Sequence, residues 1–243
     1  TIDPGSIARG SWTNNAMSGD PNNPGVSFSS TTPGNRFFAA LSYRFDYFKF
    51  GSSTITFMWD YYTPSATSYI YSGDLNGDGG SFNDLIYIPR NKTEMNFQQY
   101  TSGGVTFTPE QQAAAWDAYI QQDEYLSDNR GKYAERNAVA LPMISRVDLS
   151  FIQEVYSDFL GKRNILQIRA DILNFGNLIS KNWGVGQRLV SNTPLIARGA
   201  DAQGRALYQL RSTSGKLMDK TFQYNAGIGD VYRIQFSIRY IFN

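Results

Sequence analysis

Neither cysteine nor histidine occurs anywhere in the 243 residues. Without cysteine there are no disulfides and no thiolate metal sites. Without histidine the usual imidazole base, the commonest transition-metal ligand and any Ser-His-Asp triad are excluded. Excess charge is missing too: 22 Lys and Arg stand against 21 Asp and Glu, so no basic field points to nucleic acid. No apolar run approaches the roughly 20 residues of a membrane-crossing helix. No basic-then-apolar leader stands at Thr1, and Thr1-Ile2-Asp3-Pro4 reads as the interior of a longer chain. None of the three Gly-Lys pairs (131–132, 161–162, 215–216) continues into Ser or Thr, so there is no phosphate loop. Gly184-Val185-Gly186 and Gly227-Ile228-Gly229 lack the third glycine of a dinucleotide site. No catalytic residue can be nominated, no cofactor is required, and the chain is not expected to be an enzyme.

What is present is a high aromatic content, 15%, beside only 18% charged residues, which belongs to a folded chain. Residues 1–35 are rich in Gly, Pro, Asn and Ser around Asp20-Pro21-Asn22-Asn23-Pro24-Gly25 and read as a loop. From Arg36 a period of two sets in. Phe37, Ala39, Leu41, Tyr43, Phe45 and Tyr47 form one face, and Arg36, Ser42, Arg44 and Asp46 lie on the other. Ile55, Phe57, Trp59 and Tyr61 continue the apolar face after a short link, so 36–62 reads as a hairpin. A long excursion, 63–143, follows. In it Thr108-Pro109-Glu110-Gln111 reads as a capping box opening a short helix over about 109–122, with Ala113, Trp116 and Ile120 on one face and Trp116 a packing residue. Alternation resumes in 144–157, 163–174 and 231–242, and weaker strands are expected near 185–198 and 204–212.

Alternation alone fits a soluble sandwich as well. Length argues for lipid: soluble strands average about 5–6 residues, whereas tilted membrane strands need about 9–11. Aromatic residues cluster near segment ends (Trp59, Tyr61, Tyr62; Tyr240, Phe242), as at membrane interfaces. Short and long connections alternate, as between the two sides of a barrel. In the last strand, Ile234, Phe236, Ile238, Tyr240 and Phe242 oppose Arg233, Gln235, Ser237 and Arg239. An arginine at the bilayer midplane costs roughly 2–4 kcal/mol, so only one orientation is tolerable. The expected fold is all-β, a transmembrane antiparallel β-barrel with 144–243 supplying its C-terminal strands. Seven strands, an odd number, would make this a piece of a larger barrel.

Two motifs invite function. Asp74-x-Asn76-x-Asp78-Gly79, with Asn83 and Asp84 following, has the spacing that aims oxygens at a hard cation. The bidentate glutamate of an EF-hand is missing, its position being Leu85. Both a Ca²⁺ site ordering an outer loop and a polar turn held by Asx hydrogen bonds remain open. Arg130, Glu135 and Arg136, just before a strand, read either as a substrate-facing patch or as a salt-bridge network anchoring the loop. Arg169, Arg233 and Arg239 are expected to pair with Asp148, Glu154 or Asp171.

Tyr71–Pro89 (YSGDLNGDGGSFNDLIYIP), Arg130–Asn137 (RGKYAERN), Leu166–Trp183 (LQIRADILNFGNLISKNW) and the terminal Ile238–Asn243 together resemble the C-terminal barrel of Bacteroidota-type TonB-dependent outer-membrane receptors, of the SusC/RagA and Oar-like groups. The resemblance implies a barrel of about 22 strands with an N-terminal plug, extracellular loops and a periplasmic C-terminus in the bacterial outer membrane. It implies import of large nutrients such as glycans or peptides, powered through TonB. Its implied partners are outer-membrane lipid, the receptor's own N-terminal strands and plug, TonB through that N-terminal part, and a surface lipoprotein. In this sequence the plug and TonB-contacting segment would precede Thr1, and the chain ends in Asn243, one past the aromatic Phe242. The rival readings are a small stand-alone barrel with a structural or adhesive role, using 63–143 for contacts, and a barrel-embedded enzyme acting through carboxylates.

Overall fold

The computed structural model describes residues 15–20, 23, 25–29, 34–159, 161–225 and 227–242. Most of the Gly/Pro-rich opening loop, and the terminal Asn243, lie outside them. The described residues are predominantly strand, with three helices among them and no helix long and apolar enough to cross a membrane. The chain divides into two compact units.

One unit comprises the described parts of Pro33–Pro64, Pro142–Arg188 and Tyr224–Asn243. It contains β1 (Arg36–Tyr47), β2 (Gly51–Tyr62), β3 (Ile144–Phe159), β4 (Lys162–Leu173) and β5 (Arg233–Ile241), hydrogen-bonded in that order into one antiparallel sheet. Each segment forms where the sequence alternates. Register carries the alternation from strand to strand: Leu41 pairs with Phe57, Phe57 with Leu149, Leu149 with Ile172, and Ile172 with Ile234. A slip of one residue in any strand would put its polar and charged side chains into that apolar row. Among the described residues the sheet is open, with β1 and β5 as its edges.

The links at one end of the strands are tight. Between β1 and β2, Phe48 takes φ 50° and the Phe50 N–H donates to the Tyr47 carbonyl at 3.2 Å. Gly51 lies so close to β3 that a Cβ there would sit 2.6 Å from the Glu154 carbonyl oxygen. At the other end the chain leaves on its long excursions. Asn174, in the left-handed region at φ 53°, ends β4. Its N–H donates to Asp148 at 2.7 Å, and its side-chain amide donates to the carbonyls of Gly184 and Asp230 at 3.2 and 3.0 Å. The short helix α3 (Phe175–Ile179) follows.

The second unit gathers the described parts of Thr1–Thr32, with Ser65–Leu141 and Leu189–Gln223. Helix α1 (Pro109–Gln122) opens on the expected capping box: the Gln111 N–H donates to Thr108 Oγ1 at 3.3 Å, and the Thr108 N–H to Gln111 Oε1 at 2.9 Å. Trp116 and Ile120 are fully buried, so Trp116 does pack. Asp123 caps α2 (Glu124–Asp128), receiving the Leu126 N–H at 2.8 Å together with the hydroxyls of Tyr69 and Thr221 at 2.7 and 2.9 Å. Around these lies the hydrophobic core, with Tyr71, Ile86, Ile88, Leu195 and Leu210.

The expectation of seven strands in one sheet needs correction. The two weaker segments do form strands, Leu195–Ala200 and Ala206–Leu210, but these pair with each other, and the first also with Tyr71–Ser72, in the second unit. Strands of six and five residues are too short to span a bilayer. Their Leu195 and Leu210 are fully buried in that unit's core.

Candidate functional site

The long sheet has two chemically opposite faces. Apolar side chains from all five strands stand on one, and water reaches them: Leu41 is 71% exposed, Phe236 74% and Ile238 75%. Aromatic residues mark both ends of this face. Phe37 stacks with Tyr61, and Tyr61 with Trp59, at the end carrying the excursions. Phe45, Tyr47 and Phe50 make a second cluster at the tight turns, with Tyr240 and Phe242 stacked on each other toward the same end. Polar contacts between side chains interrupt the stripe at Trp59 Nε1 to Ser145 Oγ, 2.9 Å, at Ser53 Oγ to Gln153 Oε1, 2.6 Å, and at the Tyr240 hydroxyl to Asn164 Oδ1, 2.9 Å, besides the Tyr47–Ser53 hydroxyl pair.

The opposite face is ionic and internally paired. Arg36 meets Asp60 at 2.9 Å, Arg169 meets Asp171 at 2.8 Å and Arg146 meets Asp230 at 3.1 Å. Near the tight turns Glu154 forms a hub. It accepts from Ser52 Oγ at 3.0 Å, Tyr156 at 3.0 Å and Gln167 at 2.8 Å, and lies 3.3 Å from the Arg44 guanidinium. Arg163 stacks over the Tyr156 ring at 4.0 Å. Sequence reasoning anticipated an acid for Arg169 but not this hub, whose members come from four strands. Arg233 and Arg239 correct the expectation: among the described residues neither forms an ion pair, and both lie on the edge strand β5. Asp148, expected as an arginine partner, instead holds the Asn174 N–H. Phe38, Met58 and Ile152 also sit on this face, so it is mixed rather than wholly polar.

In the second unit the chain brings the candidate cation ligands together in one loop. Asp74 accepts the Gly77 N–H at 2.7 Å on Oδ1 and the Gly79 N–H at 2.9 Å on Oδ2. Asn76 Oδ1 accepts the Asp78 N–H at 2.9 Å. Asp78 Oδ1 accepts the Gly80 N–H at 2.7 Å, and its Oδ2 faces the side-chain amides of Asn76 and Asn83 at 3.2 and 3.0 Å. Burial works to raise the Asp78 carboxyl, but those donors outweigh it and hold the group below its ordinary value. Asp84 goes the other way. Burial pushes it up and the charges of Asp78 and Asp74 add to this, against donors from the Leu75 and Asn76 N–H groups. Among the described residues no three carboxylates converge into a closed metal cage.

Arg130, Glu135 and Arg136 do not converge. Arg130 pairs with Asp117 at 2.9 Å and reaches the Pro89 carbonyl at 3.2 Å, which ties down the loop. The Glu135 N–H donates to the Tyr125 hydroxyl at 2.7 Å, and the residue itself is exposed. Arg136 donates to Ser27 Oγ at 2.6 Å and lines a groove of 380 Å³ with Asn15, Ser68, Asn137 and Asn192, beside the exposed ring of Phe82. Asn137 and Asn192 were not singled out from sequence, since scattered asparagines in loops carry no spacing signal. No family model, curated protein or solved structure matches this chain.

Proposed function

We propose that this chain forms wall strands and outer loops of a bacterial outer-membrane β-barrel of the TonB-dependent receptor type, importing large nutrients such as glycans or peptides. One observation carries the reading: over five continuously paired strands, large apolar side chains recur along one face while the ion pairs stand on the other. The exposed apolar face measures on the order of 800 Å² by strand spacing and rise. Soluble monomers rarely leave so large a patch in water. The strands are 9 to 16 residues long, at or above the spanning minimum. From the Phe37 row to the Tyr47 row is about ten residues, or about 24 Å along the normal of a tilted sheet. That matches the roughly 25 Å apolar band between aromatic girdles.

On this reading the open edges β1 and β5 meet further strands of the receptor, and Arg233 and Arg239 face its aqueous interior. The tight turns are periplasmic and the excursions extracellular. The groove beside Arg136 offers guanidinium, amide and hydroxyl groups of the kind that bind hydroxylated or peptidic ligands.

The test is solubility and its facial asymmetry. The protein carrying this chain should fractionate with outer membranes and need detergent for extraction. Leu41→Arg with Phe236→Arg, each costing roughly 2–4 kcal/mol in lipid, should abolish folded membrane recovery, while Ser150→Arg on the ionic face leaves it intact. Recovery of the unsubstituted protein as a monodisperse species in plain buffer would overturn the reading.

A further inference from the structure

We infer that the groove beside Arg136 binds a sugar acid, a saccharide unit whose carboxylate meets the Arg136 guanidinium and whose ring lies against Phe82. The inference deepens the transport reading, on which it rests, by naming the chemistry of the cargo. The decisive residue is Arg136. Its side chain is half-buried, and its Nε donates to Ser27 Oγ at 2.6 Å. Among the described residues its two terminal nitrogens meet neither a carboxylate nor any other acceptor. A guanidinium carries five N–H donors in a fixed fork, so the end suited to bidentate capture of a carboxylate stays open. Arg130, in the same stretch of chain, shows the contrast: its fork is spent on the Asp117 carboxylate and on the Pro89 and Asp117 carbonyls. No other described residue lining the Arg136 groove carries a charge, so nothing there neutralises the cation.

The walls are fixed by hydrogen bonds among the segments that supply them. The Asn137 N–H donates to Ser68 Oγ at 2.8 Å and its side-chain amide to the Phe28 carbonyl at 2.9 Å, with the backbone in the left-handed region at φ 56°. The Ile70 N–H donates to the Asn192 carbonyl at 2.9 Å. Phe82 stands between anchored neighbours: the Asn83 carbonyl accepts from the Met17 N–H at 2.7 Å, and the Ser81 carbonyl from the Gly73 N–H at 2.8 Å. Its ring is nonetheless 62% exposed. A phenyl ring displayed from a fixed segment beside polar walls offers an apolar platform to the C–H face of a sugar. Around it Thr67, Asn137 and Asn192 present hydroxyl and amide groups that both donate and accept, as sugar hydroxyls do. A peptide is the poorer match. Its backbone asks for an extended strand edge, and the strand at this groove, Ala66–Thr67, has only two residues. The groove's 380 Å³ falls within the range of small-molecule sites, roughly 300–1,000 Å³.

The experiment titrates trigalacturonate, its methyl ester and, separately, trialanine into the full chain by calorimetry, in detergent or in plain buffer, whichever keeps the protein folded. The expected result is one saturable site for trigalacturonate, with the ester and trialanine each weaker by about tenfold or more, as the loss of a charge-assisted hydrogen bond requires. Arg136→Gln should weaken the acid by about tenfold or more and leave the ester nearly unchanged, whereas Phe82→Ala should weaken both by about fivefold. Equal affinity for acid and ester, trialanine binding as tightly as trigalacturonate, no saturable binding up to about 10 mM, or either variant binding like the unsubstituted chain would overturn the proposal. If a variant fails to fold by circular dichroism, the acid–ester comparison on the unsubstituted chain decides. Recovery of the protein in plain buffer would end the transport reading and leave this titration readable, so the two failures are distinct.

Discussion

Glu94 shows how a single exposed side chain can govern a local acid response. Its carboxylate accepts the Arg90 N–H at 2.5 Å and the Tyr87 hydroxyl at 2.9 Å. The backbone donor is the largest influence, opposed by partial burial and aided by the Tyr87 hydroxyl and the Arg90 charge, so the group sits below its ordinary value. A depressed carboxyl adds stability that is present above its unfolded pKa of about 4.3 and is lost as pH falls through the folded value. Exchange protection at the Arg90 amide should therefore persist as pH falls past the unfolded value and be lost only as pH passes through the lower folded one. Glu94→Gln should remove that step. Asp123 is the buried counterpart. Asp123→Ala strips the α2 cap and removes the acceptor of the Tyr69 and Thr221 hydroxyls, an expected loss of about 2–4 kcal/mol in chemical denaturation of the loop unit. Few of these partnerships were legible in the sequence. Thr108 and Gln111 were, because a capping box is local. Asp123 with Thr221, nearly a hundred positions apart, was not.

At the scale of elements, the long strands were legible because their chemistry repeats every second residue, and the pairing follows from the same repeat. The order β1 to β4 needed only neighbour-to-neighbour pairing, but β4 beside β5 was not foreseen, because two further strands were expected between them. The short strands were misassigned for a physical reason. Leu195 and Leu210 are buried by packing against a helix-containing core, and a two-residue parallel bridge from Tyr71–Ser72 leaves no periodic trace. The hairpin end illustrates how closely the sheet is built. Gly51→Ala would press a methyl group against the Glu154 carbonyl and push β2 from β3, costing about 1–3 kcal/mol as overpacking does. Lower yield of folded protein, read by heat-modifiable mobility on gels, would check this. Gly161→Ala, whose Cβ would meet nothing within 4 Å, carries only the backbone cost of its φ of 74°. It should be the milder of the two.

For the molecule as a whole, the core of the loop unit is assembled from three stretches that the strands keep apart in sequence. Between the first and second lies the β1–β2 hairpin, which brings Asn35 and Thr63 together through a 2.9 Å hydrogen bond. Between the second and third lies the β3–β4 hairpin. Until those hairpins close, joining Ile86 to Leu195 means ordering more than a hundred intervening residues, and the entropy of such closure slows folding. Once they close, the two detours, Pro33–Pro64 and Pro142–Arg188, act as short staples. The chronology of maturation is thereby written into the connectivity: long sheet first, loop unit last. Pulse-labelled amides of Ile152 and Ile168 should become protected before those of Ile86 and Leu195. A polypeptide arrested after the first hairpin should display its excursion as an uncollapsed string, open to proteases and to chaperones that patrol the compartment where assembly occurs.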